Sequence, residues 1–120
     1  MAEPADEFIA RKSTELLARP VYARDIGGRG RLIWEREAVT LRQQSNYLEK
    51  VFMVERMKLV KVEGEQLREG GAKVGDREYR FGYYTVSRTD KWWWGQFSIF
   101  IPADDLEALL AQARREGTIL

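Results

Sequence analysis

The chain contains neither cysteine nor histidine. Without cysteine there is no disulfide scaffold and no thiol nucleophile. Without histidine there is no Ser-His-Asp triad, and the usual Cys/His zinc sites are excluded. Long hydrophobic runs are also missing. No apolar stretch approaches the length that spans a bilayer, so no membrane association is expected. Met1–Arg11 is acidic and lacks an apolar core, so it does not read as a signal peptide. The cytoplasm is the expected compartment, and the lack of cysteine agrees with it. Charge of one sign is lacking overall, since the net charge is only +1.

What remains is a chain of 120 residues, 44% hydrophobic. This is one expected domain, 1–120, with residues 1–5 frayed. It is long enough to bury a core without metals or disulfides. Its charge is distributed unevenly. Residues 11–42 carry eight bases against four acids, while residues 1–10 carry three acids and no base. A basic N-terminal third on a near-neutral domain fits an anionic partner. An ordinary charged surface explains it more simply.

Asp6–Arg19 reads as a helix with Ile9, Ser13, Leu16 and Leu17 on one side, stopped by Pro20. Pro20–Ile26 and Arg31–Glu37 read as short strands around Gly27-Gly28-Arg29-Gly30. That glycine cluster lacks the Lys-Ser/Thr of a phosphate loop, so a hairpin turn is expected there. Ala38–Asn46 reads as a polar connection. Tyr47–Val62 is rich in β-branched residues and reads as a strand with a bulge near Arg56-Met57, although a helix competes. Gly75-Asp76 signals a short hairpin between Lys73-Val74 and Arg77-Glu78. Arg77–Ser87 and Lys91–Ile101 form two strands around Arg88-Thr89-Asp90. Pro102 then opens a helix over Ala103–Glu116, with acids at its start, Arg114 and Arg115 near its end, and Gly117 as the stop. The expected class is α+β: a mainly antiparallel twisted sheet of about five strands with an N-terminal and a C-terminal helix.

The aromatic hairpin carries most of the functional signal. With a three-residue loop, Thr85 faces Trp93 and Tyr83 faces Gly95. One face then holds Tyr79, Phe81, Tyr83, Trp93, Phe97, Ile99 and Ile101, and reads as core. The other holds Arg80, Tyr84, Val86, Trp92, Trp94, Gln96 and Ser98. Phe81, Trp93, Phe97, Ile99, Leu106, Leu109 and Leu110 are the expected core. The second face admits three roles. It is a platform on which nucleic-acid bases stack, a second core layer beneath the N-terminal helix, or a protein interface built on Trp, Tyr and Arg.

Catalysis without His or Cys would rest on carboxylates, Lys, Ser, Thr or Tyr. Ser87 and Lys91 could bring a hydroxyl near an amine across the hairpin, but such turn residues are usually just solvated. Glu55-Arg56-Met57-Lys58 and Asp76-Arg77-Glu78 loosely resemble the sets that hold Mg²⁺ in nucleases, but their spacing is not the tight Glu-x-Lys of such sites. Asp104-Asp105 is explained by the helix dipole. No catalytic residue, metal or cofactor is therefore expected. The leading expectation is a non-enzymatic domain that associates with single-stranded nucleic acid. Trp92, Trp94 and Tyr84 would stack, and Arg80, Arg29 and Arg31 would meet phosphates. The alternative is a protein-interaction or self-associating domain that uses the same Trp/Tyr face. A metal-dependent nuclease comes third.

Overall fold

Residues 51–54 (Val-Phe-Met-Val) are all fully buried. Side chains alternate across a strand, so an unbroken apolar run must be covered on both faces. A computed structural model, describing residues 1–24, 30–64 and 70–120, shows how. The elements in order are α1 (Ala5–Leu17), β1 (Val21–Arg24), β2 (Gly30–Gln43), β3 (Lys50–Gly64), β4 (Arg77–Val86), β5 (Trp92–Trp94) and α2 (Ala103–Arg115). The strands form one antiparallel sheet in the order β1-β2-β3-β4-β5. The α+β class and the five antiparallel strands agree with the sequence reading.

Val51 and Met53 face α1 and pack with Phe8, Leu16, Leu41 and Tyr84. Phe52 and Val54 face α2 and pack with Tyr83, Leu109 and Ala113. A third cluster (Val21, Leu32, Trp34, Met57 and Leu59) fills the end of the sheet near β1. The sheet is therefore the middle layer, with one helix on either side.

Both helices lie close to their expected bounds. Each follows a proline, carries acids in its first turn, and α2 ends before Gly117 at φ 80°. In α1 the buried residues are Ala5, Phe8 and Leu16, while Leu17 is exposed. Phe8 therefore takes the place expected for Leu17. Asp105 does more than meet the helix dipole. It is buried, and its carboxylate accepts the Ser45 N–H at 3.0 Å, tying α2 to the turn between β2 and β3.

Several expectations need correction. Residues 38–43 are not a connection but the second half of β2, paired from Ala38↔Arg56 to Gln43↔Val51. The polar side chains there hide that both faces of the strand are covered, Leu41 packing on the α1 side and Thr40 bonding to Glu116 and Thr118 on the α2 side. The bulge does lie level with Arg56-Met57, but the extra residue is Glu37 on β2, between Arg36 and Ala38. Lys73-Val74 is not a strand. The Gly75 turn, at φ 99°, instead docks on β3, with Gly75 N–H donating to Leu59 C=O at 2.8 Å. The Asp25–Arg29 segment, which includes most of the glycine cluster, lies outside the described residues.

The hairpin register holds: Thr85 pairs with Trp93, and Gly95 N–H donates to Tyr83 C=O at 2.8 Å. Its length does not hold. β5 stops at Trp94, and Ile99 and Ile101 leave the strand to join the core beneath α2. Leu109 is fully buried, as expected, while Leu110, also expected in the core, is only half-buried. Phe81, Trp93, Phe97 and Leu106 are exposed, Phe97 by 87%. The physical reason is that α2 docks over Phe52 and Val54, so it does not extend across the outer face of the hairpin.

A candidate aromatic and basic groove

β3 places Glu55 on the same face as Val51 and Met53, and the side chain is fully buried. A buried carboxylate must be paired and hydrogen-bonded. Arg36 Nε donates to one oxygen at 2.6 Å, and Arg80 Nε donates to the other at 3.1 Å with its Nη2 in ion-pair contact at 3.0 Å. Arg36 also donates to the Arg19 C=O at 3.1 Å, clamping the end of α1 onto the sheet. Two guanidinium groups on one carboxylate leave a local positive charge.

The Arg80 guanidinium lies 5.2 Å from the Trp94 ring centroid, within cation–π range. Trp94 meets Tyr84 edge to face at 5.1 Å and remains 37% exposed. These groups line one side of a shallow groove of about 390 Å³ between the end of α1 and the hairpin. Lys12, Glu15, Arg19 and Arg36 line the other side. Lys12 Nζ is 5.5 Å from the Tyr84 ring.

The residues singled out from sequence separate into three groups. Trp94 and Arg80 sit together at the rim of this groove. Tyr84 and Trp92 belong to its wall and floor. Tyr84 is 5% exposed, and Trp92 stacks on Phe8 at 4.7 Å and 12° while donating its indole N–H to the Glu3 C=O at 2.8 Å. The helix α1 therefore covers both, as the second-core-layer alternative expects. Arg31 lies elsewhere, near the β1 edge. It pairs with Glu63 at 2.9 Å and stacks on Tyr22 at 5.1 Å. Arg29 lies outside the described residues.

Lys12, Arg19 and Arg36 were not among the sequence candidates. Lys12 was within reach, because it lies one helical turn from Phe8 and Leu16. Arg36 was not, since its place depends on pairing β2 with β3.

A second cleft of about 420 Å³ opens on the other side of β5. Tyr83, Trp93, Gly95 and Phe97 supply its apolar wall and Arg88 its nearest cation. Among the described residues, no cluster of acids is placed to hold a metal ion. No helix among them is long and apolar enough to cross a membrane. No protein-family model, curated protein or solved structure matches this chain.

Proposed function

We propose that this domain binds single-stranded nucleic acid along the groove between α1 and β5, without carrying out chemistry of its own. The observation that carries the proposal is the partly exposed Trp94 indole, with the Arg80 guanidinium beside it, facing Lys12, Arg19 and Arg36. A base needs a flat apolar surface and its phosphate needs a nearby cation, and this rim offers both. Tyr84 acts here as support, meeting the Trp94 ring edge to face, while Trp92 is stacked on Phe8 beneath the groove, and Arg31 lies too far along the sheet to share the ligand. The cytoplasm is the compartment we assign.

The test is a fluorescence titration with a short single-stranded oligonucleotide at two salt concentrations. Affinity should fall as salt rises, because phosphate binding releases counterions. Trp94→Ala should lower affinity about tenfold to a hundredfold. Arg19→Ala should reduce the salt slope by about one. Salt-independent binding, or none, rejects the proposal.

A protein partner is the second function we consider, and a separate observation favours it. Phe97 and Trp93, 87% and 59% exposed, line one cleft together, and adjoining exposed apolar rings mark an interaction site. Binding there would be insensitive to salt and to Arg19→Ala.

A further inference from the structure

β4 is paired with β3 from Arg77 to Thr85. On its other side it pairs with β5 only at Tyr84, Thr85 and Val86, with one further bond from Gly95 to Tyr83. Among the described residues no strand pairs with Arg77–Phe81 on that side. In an antiparallel ladder successive residues turn their backbone groups to opposite neighbours. Tyr83 and Ser87 bond toward β5, so Tyr79 and Phe81 aim their N–H and C=O groups at the open edge. Their side chains are also exposed, by 41% and 42%. Proteins usually guard such an edge with charged side chains, Pro or a bulge. Residues 77–81 contain no Pro, their register with β3 is unbroken, and their charges (Arg77, Glu78 and Arg80) are of both signs, so they repel most strands but not a complementary one.

We infer that this edge pairs antiparallel with the same edge of a second copy, about a two-fold axis through Tyr79. The charges select both the occupant and the register. With Tyr79 opposite its symmetry mate, Glu78 faces Arg80 of the other copy, twice, and Arg77 faces Phe81. A register centred on Arg80 would set Arg80 against Arg80, and one centred on Glu78 would set Glu78 against Glu78. Directly opposed like charges destabilise a strand pair, whereas opposite charges support it. The Arg77–Phe81 segment is thus complementary to itself in one register only. The axis stands perpendicular to the sheet, so α1 of both copies lies on the same side. The edge is short, so the dimer should dissociate on dilution.

Sedimentation equilibrium over two decades of protein concentration, without oligonucleotide, tests this independently of the nucleic-acid proposal. A monomer–dimer equilibrium is expected. Glu78→Lys should weaken it by roughly tenfold or more, since attraction becomes repulsion at two symmetric positions. The chain has no cysteine, so Tyr79→Cys introduces a single thiol on the axis. It should form a covalent dimer on mild oxidation, while Leu48→Cys, at an exposed site away from this edge, should not. Far-UV circular dichroism checks that each variant is folded. If Glu78→Lys does not fold, the wild-type and Tyr79→Cys results still decide. A monomer at all concentrations, a dimer indifferent to Glu78→Lys, or crosslinking no faster at position 79 than at 48 overturns the inference.

Discussion

The Trp94 indole lies flat against the backbone of Gly82, with its six-membered ring filling the space a β-carbon would take. On the opposite face the relationship is reversed: the Tyr83 ring covers Gly95 in the same way. Each strand of the hairpin thus offers a glycine to an aromatic ring of the other. This sets the position of Trp94 beside Arg80.

Gly82→Ala should therefore destabilise the domain by about 1–3 kcal/mol, the usual cost of overpacking. It should also push the Trp94 ring away from the sheet. Chemical denaturation gives the first quantity, and the tryptophan emission maximum reports the second. Unchanged stability together with unchanged emission would mean that Trp94 does not rest on Gly82.

Trp92 and Trp94 should respond differently to truncation. Trp92→Ala removes the ring stacked on Phe8 and the indole bond to Glu3, at a cost of about 3–5 kcal/mol. Trp94→Ala removes a ring at the rim and should cost clearly less. Equal losses in denaturant unfolding would contradict the distinction between wall and rim.

Glu55→Gln keeps the size of the side chain but removes the charge that two arginines share. Breaking a buried ion pair from one side costs about 3–5 kcal/mol, because the remaining charges stay desolvated. The melting temperature should drop by many degrees. Restoring it with Arg80→Met in the Glu55→Gln background would show that the loss came from the stranded guanidinium.

Alkaline pH should destabilise the fold through Tyr84. Burial pushes its hydroxyl up to about 12 from an ordinary value of 10.0. Below pH 10 the group is neutral in both states and contributes no pH dependence. Between pH 10 and about 12 the unfolded chain loses this proton while the folded chain keeps it, so stability falls as pH rises. Tyr84→Phe should flatten this part of the stability curve. An identical slope in the variant would place the effect elsewhere.

Leu109→Ala should cost about 2–5 kcal/mol, since Leu109 is fully buried against Phe52 and Val54. Phe97→Ala, at a site 87% exposed, should leave the melting temperature nearly unchanged. A large loss at Phe97 would restore the long β5 strand expected from sequence.

Local chemistry made much of this architecture legible. Pro20, Pro102 and Gly117 bound helices because proline and glycine act on the backbone at their own positions. The pairing of Thr85 with Trp93 follows from the length of one turn. The grouping of Arg80, Tyr84, Trp92 and Trp94 follows from strand alternation. None of these depends on a distant residue.

Alternation, however, says which side chains share a face and not what covers it. The face expected to be core is partly open at Phe81, Trp93 and Phe97, while the face expected to be mixed is partly closed by α1 over Tyr84 and Trp92. That outcome rests on where two helices dock, and docking follows the buried run from Val51 to Val54 on a strand remote in sequence from both. The clamp of Arg36 and Arg80 on Glu55 likewise needs β2, β3 and β4 side by side. The sequence by itself determined the two helices, the turn at Arg88-Thr89-Asp90 and the sharing of faces in the hairpin it joins. Only tertiary packing decided which aromatic rings met water, because burial is a property of the surface that arrives to cover them.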